Sequence, residues 1–182
     1  MRFRFRPLSE AEIAMASLLF GDAIDYRRVR VYNRRYMPFQ PRNCAMTPNG
    51  NIYFHQSCFL PDYTRGDPPA IHWFMHEMVH VWQHQLGYPV RLRGMVRIGL
   101  SYGYTLGEDA TLADYNMEAQ GDLLADYFVL KHLKKPAAMR QGRHRDQLAL
   151  YERVLALFLA APRQRDNLPR GPARTVGMLL SG

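Results

Sequence analysis

The sequence predicts a mostly helical α+β fold, organised as one domain over residues 1–160 with a basic, proline- and glycine-containing tail over 161–182. Three observations lead there. After Pro68 and Pro69 the chain runs to Leu86 without proline or glycine, and a second long run extends from Asp114 to Lys135 before Pro136. Strand-like alternation is confined to short stretches near the N-terminus. At 182 residues, 47% apolar and 22% charged, the chain has a globular composition. That length buries roughly 70% of its unfolded surface without help from a disulfide framework. No stretch approaches the roughly 20 consecutive apolar residues of a membrane span, so integral-membrane, collagen-like and coiled-coil classes are excluded.

The elements follow in order. Ser9 and Glu12 form the S-x-x-E pattern of a capping box, with Leu8 placed to staple onto Ile13 and Gly21 to close the helix. This reading makes the basic and apolar start of the chain a helix rather than a conventional secretion signal. Arg27 to Tyr36 alternates around Val29 and Val31, as a strand with one polar face does. Cys44 to Phe54 reads as a hairpin about Asn49-Gly50, with Pro48 at its turn. Residues 60–70 are a loop. Asp67 then serves as N-cap and Pro68 as the first residue of a helix reaching Leu86, where Gly87 and Pro89 end it. Residues 88–110 are a glycine-rich loop with room for a short helix. The second long helix spans about Asp114 to Lys135, its last turn carrying Lys131, His132, Lys134 and Lys135 as the helix dipole favours. A third is expected from Arg143 to Ala160, burying Leu148, Leu155 and Leu159.

The net charge of +8 comes from 21 Arg and only 3 Lys. Arginine forks suit phosphate or carboxylate partners, so nucleic acid, anionic lipid and anionic wall polymers enter as candidates. The simpler reading is a charge spread over a solvated face. Arg2, Arg4 and Arg6 around Phe3 and Phe5 make only a short arm for nucleic acid, which would need interleaved aromatic and basic residues over a larger face. Cys44 and Cys58 are too few for a zinc cluster; they form one bridge or remain thiols.

The chemistry lies in 72-HWFMHEMVHVWQHQ-85. His76-Glu77-Met78-Val79-His80 is H-E-x-x-H on a predicted helix, a pattern that random order would produce in roughly one such chain in a hundred. Residues four apart share a helical face, so both imidazoles can reach one zinc ion while Glu77 is placed to take a proton from water at that ion. The uncharged flanks Met75, Met78, Val79, Val81 and Trp82 suit a buried helix. His72 and His84 continue the ladder, but His76 and His84 are about 12 Å apart along the axis, too far for one ion with bonds of ~2 Å. A better third ligand is Glu118 on the second long helix. Asp122, one turn later, can accept the free ring N–H of a ligating histidine and fix its orientation. The competing reading of Glu118, Asp122 and Asp126 is an ordinary acidic face paired with arginines.

The H-E-x-x-H…E-x-x-x-D arrangement resembles the gluzincin metallopeptidases. Residues 76–83, with Ala45 to Phe54 before them and Tyr115 to Gln120 after, resemble zincin-like domains linked to bacterial type VI secretion spike (Vgr) and Rhs proteins. The likeness covers roughly residues 40–130. It implies a toxin or effector metallopeptidase acting on a competitor's cell envelope, made in the bacterial cytoplasm and exported by type VI secretion to the target periplasm. A spike protein and a cognate immunity protein are its implied partners. It also implies that the strand Asn51, Ile52, Tyr53 and Phe54 lies beside the metal helix as an edge that binds an extended peptide.

The mechanism so implied holds zinc between His76, His80 and Glu118, with Glu77 as the general base that takes a proton from the water attacking an amide carbonyl. Tyr102, Tyr104, Arg97 and His132 are candidates to stabilise the oxyanion, and Tyr104, in the glycine-rich loop, is the preferred one. A peptidoglycan peptide and a protein are equally compatible substrates. A zinc-stabilised binding module without turnover, and a basic nucleic-acid-binding protein, are the alternatives.

Overall fold

The computed structural model describes residues 4–42, 44–96 and 100–170. Helix α1 (Glu10–Phe20) starts at the expected capping box. The Ser9 hydroxyl accepts from the Glu12 N–H, the Glu12 carboxylate accepts from the Ser9 N–H, and Gly21 ends the helix at φ 51°. Glu12 does more than cap. It is fully buried, and its second role is to accept a bidentate pair of bonds from Arg6, each 2.7 Å. Arg6 is therefore part of the packing rather than of a nucleic-acid arm; Arg2 and Phe3 lie outside the described residues.

The sheet has three short strands in the order β1 (Phe5–Pro7), β2 (Arg30–Asn33), β3 (Ile52–Phe54). β1 and β2 are antiparallel, and β2 and β3 are parallel with Tyr32 opposite Tyr53. The expected strand over 27–36 is shortened, because Asp25 caps a turn of 3₁₀ helix at Tyr26–Arg28. Val29 and Val31 are both fully buried as the alternation requires. The expected 44–54 hairpin contracts to one antiparallel bridge, Met46 to Tyr53, around the turn at Gly50 (φ 76°).

Helix α2 (Pro68–Gln85) has the expected Asp67 cap, which accepts from the Ala70 N–H, and ends before Gly87 at φ 89°. Met75, Met78, Val79, Val81 and Trp82 are all fully buried. Helix α3 (Val90–Val96) occupies the glycine-rich stretch. Helix α4 (Met117–Lys131) begins three residues later than expected, since Leu112–Asp114 forms a separate 3₁₀ turn and Asn116 caps α4 by accepting from the Glu118 and Ala119 N–H groups. It ends at Lys131, and Lys134 at φ 55° turns the chain before Pro136.

The third long helix is broken in two, α5 (Leu148–Val154) and α6 (Ala156–Ala160), after a 3₁₀ turn at Gly142–His144. Its buried face consists of Tyr151, Val154, Leu155 and Phe158, while Leu159 is exposed. The break rotates α6 so that Phe158 packs edge-on against Trp82 and Phe20. The first part of the expected tail packs on this body. The Trp82 indole N–H donates to the Pro162 carbonyl, and Asn167 and Leu168 are buried. Residues beyond 170 lie outside the described ones. Cys44 and Cys58 form no disulfide.

Candidate metal centre

Helices α2 and α4 pack together through their ligand-bearing faces. The helical spacing of H-E-x-x-H sets His76 and His80 one above the other, and their Nε2 atoms lie 3.0 Å apart. From α4, Glu118 Oε2 lies 3.3 Å from both. All three residues are buried, and together they form a group able to hold one metal ion. A tetrahedral ion with bonds of about 2.0–2.1 Å requires ligand atoms about 3.3 Å apart, so the donor set fits without rearrangement.

The approach of α4 depends on Gly121. A Cβ there would lie 2.5 Å from His76 Cε1, so any side chain would force the imidazole or the helix to shift. One turn of helix past Glu118, Asp122 Oδ1 lies 2.8 Å from His76 Nδ1. That contact orients the ring with Nε2 toward the cluster. His80 is oriented differently. Its Nδ1 lies 2.8 Å from Gln83 Oε1, and the Gln83 amide in turn donates to Gln120 Oε1 and the Met117 carbonyl. Gln120 donates to the carbonyls of Leu112 and Asn167. Gln83 and Gln120 are fully buried. Neither was among the candidate residues, although Gln83 at three residues from His80 had the right helical spacing.

Glu77 is buried beside the cluster, and the Thr47 hydroxyl donates to its Oε2 at 2.6 Å. Burial alone would favour neutral imidazoles. For His76 this is outweighed by the Asp122 and Glu118 hydrogen bonds and the charge of Glu77, and its pKa is raised to about 10. His80 is raised as well, burial being outweighed chiefly by Glu118. Burial pushes Glu118 up, but the two imidazoles hold it well below the usual carboxylate range.

His72 pairs instead with Asp126, its Nε2 2.8 Å from Oδ1. Asp126, fully buried, also accepts from the Arg140 and Gln141 N–H groups and from the Tyr104 hydroxyl. Asp126 is therefore no member of a solvated acidic face. Tyr104, the preferred oxyanion residue, bonds through its hydroxyl to Asp126 and, at 2.5 Å, to Tyr151. Asp126 is eight residues beyond Glu118, about 12 Å along α4, so the Tyr104 hydroxyl is tied to a structural network away from the ligands. Its neighbour Tyr102 takes the position by the centre, its ring stacked on His76 at 5.9 Å between centroids. His132 caps the far end of α4, stacked on Phe128 and about 21 Å along the axis from Glu118. Arg97 lies outside the described residues.

The edge expected at Asn51–Phe54 is closed. Both backbone groups of Tyr53 are bonded to Met46, and alternation turns those of Ile52 and Phe54 toward β2. The Asn51 side chain accepts from the Arg30 N–H. Ile52, Tyr53 and Phe54 are all buried.

No family model matches the chain. It is 42% identical over 134 residues to the type VI secretion system spike protein VgrG2b of Pseudomonas aeruginosa, across 70% of this chain and 13% of that protein. Among solved structures, the effector domain of Pseudomonas aeruginosa VgrG2b superimposes with a TM-score of 0.66 at 39% identity, covering 83% of this chain and 82% of that one. The chain belongs to the family of the VgrG2b effector domain. The chain spans 13% of the curated spike protein's length, whereas it covers 82% of the effector domain. The likeness to spike-linked domains seen in residues 40–130 is thereby borne out at the level of family. The VgrG2b-type domain has an α+β architecture dominated by helices, and among the described residues no helix is long and apolar enough to cross a membrane.

Proposed function

We propose that this VgrG2b-type domain is a zinc-dependent metallopeptidase and a type VI secretion effector acting in the envelope of a target cell. One observation carries the hydrolase reading: three converging donor atoms, 3.0–3.3 Å apart, with a buried carboxylate beside them that is not itself a donor to the cluster. Two imidazoles and one carboxylate are a donor set suited to zinc. When bound, such an ion lowers the pKa of water toward ~7 and polarises a carbonyl oxygen.

The chain's own residues supply the rest. Thr47 occupies Glu77 Oε2, which leaves Oε1 to accept the proton of the attacking water. Glu77 then delivers that proton to the leaving amine nitrogen. Tyr102, stacked on His76, replaces Tyr104 as the residue we assign to the developing oxyanion. We assign the peptide-pairing edge to Ala45–Thr47. Met46 turns its backbone groups inward to Tyr53, so alternation would turn those of Ala45 and Thr47 to the other side of the strand, and the Thr47 side chain meets Glu77. A spike protein is the partner that a spike-linked relative suggests, and a cognate immunity protein is the further partner of the effector reading.

The deciding experiment is metal analysis of the purified protein combined with peptide cleavage by the parent and by Glu77→Ala. Zinc at one equivalent in both, with cleavage only by the parent, is the expected result. Equal cleavage by the two proteins would refute the hydrolase, and zinc without any cleavage would leave a metal-stabilised binding module.

A further inference from the structure

The ligand face of α2 does not end at His80. His84 is one turn further on, about 6 Å along the axis, and lines an open cavity of about 550 Å³. One wall is the turn that follows Thr47. It touches Glu77 at one end through Thr47, and at the other Gly50 lies against the His84 ring, where a Cβ would come within 2.6 Å of His84 Cδ2. Pro48 lies between them and lines the cavity. The opposite wall is α3, from which Val90, Leu92 and Met95 line the same space. The cavity thus begins one helical turn from His80, and its Pro48 wall adjoins Thr47, which touches Glu77.

The walls are mostly apolar and open. Leu92 is 60% exposed and Met95 69%, on a helix of only seven residues. Scattered exposed apolar side chains need no explanation, but a cluster lining a cavity next to a reactive centre marks a place where apolar surface is covered on binding. An extended peptide advances 3.2–3.4 Å per residue, so about two residues span the distance from His80 to His84. We propose that this cavity takes a bulky apolar side chain of a polypeptide substrate, about two residues from the cleaved bond. The inference rests on the peptidase reading and narrows it. Cell-wall stem peptides, whose side chains are small or acidic, would leave the apolar walls uncovered, whereas a protein segment bearing Leu, Phe, Met or Tyr would fill them.

The test is cleavage of a proteome-derived peptide library by the zinc-loaded protein, read by mass spectrometry, with Glu77→Ala as the blank. Large apolar residues should be enriched about two positions to one side of the cut. In Leu92→Glu/Met95→Glu, both exposed positions that leave the core untouched, kcat/KM for those peptides should fall about tenfold or more, since pocket contacts of this kind discriminate by about that factor. Zinc content should stay the same. Cleavage with no apolar preference, an unchanged preference in the double variant, or equal cleavage of wall stem peptides would overturn the assignment and leave the hydrolase intact. No cleavage of any peptide by the zinc-loaded parent would remove both.

Discussion

The Thr47 hydroxyl donates to Glu77 Oε2 at 2.6 Å across 30 residues of sequence, with both side chains buried. This bond holds the carboxylate in one orientation beside the His76–His80–Glu118 cluster and occupies one of its two oxygens. In the proposed mechanism this keeps Glu77 a proton acceptor rather than a fourth ligand.

Thr47→Val should retain the metal and lower kcat by roughly tenfold or more, because a buried hydrogen bond to a charged group contributes about 1.5–3 kcal/mol. Thr47→Ser should restore most of the loss. Steady-state kinetics alongside metal analysis tests this, and a Ser variant as poor as the Val one would show that packing, not the hydroxyl, matters.

His80→Ala should lose both metal and turnover, whereas Glu77→Gln should keep the metal and lose about 10²–10⁴ in kcat. Zinc content by elemental analysis separates the two. Comparable zinc in the His80 variant would remove His80 from the ligand set.

Gln83→Leu should weaken zinc binding about 10–100-fold, the usual effect of removing the partner of a ligand's outer ring nitrogen. It also strands the Gln120 amide oxygen that accepts from Gln83. Chelator competition measures the affinity, and an unchanged constant would show that His80 needs no such support.

Gly121→Ala tests the close approach of α4. With a Cβ 2.5 Å from His76 Cε1, the imidazole or the helix must shift, so zinc affinity and melting temperature should both drop, the latter reflecting roughly 1–3 kcal/mol of overpacking. Calorimetry with and without zinc reads both effects; wild-type values would mean that the shift has no measurable cost.

In the proposed zinc site protons would compete with the metal, and the sign follows from His76. Its pKa rises from 6.5 to about 10 in the metal-free fold. The protonated ring therefore stabilises that fold fully below about pH 6.5, and the contribution is lost as pH climbs through about 10. Metal binding runs the other way, because the ligand must be neutral. At pH 7.5 zinc should displace at least one proton, and its affinity should rise about tenfold per pH unit for each one. Titration calorimetry in buffers of differing ionisation enthalpy counts the protons, and an enthalpy independent of buffer would contradict this competition.

Much of this was legible in the chain itself because it is local. The Ser9–Glu12 box, the Asp67 cap and the spacing of His76, Glu77 and His80 depend on residues within one or two turns, where helix geometry dictates which side chains meet. Glu118 and Asp122 were readable as a pair for the same reason. What tertiary structure alone decided is contact at long range. Thr47 meeting Glu77, Gly121 admitting His76, and Asn167 closing the Gln83–Gln120 chain have no periodicity to announce them. The pairing of β3 was not readable because strand partners are set at long range: β3 pairs parallel with β2 while Met46 covers its other side, so the expected free edge at Asn51–Phe54 is closed. Tyr104 and Tyr102 stand two residues apart in a loop without a repeat. Asp126, a buried carboxylate on another helix, claims the first hydroxyl and leaves the second ring beside the metal ligands.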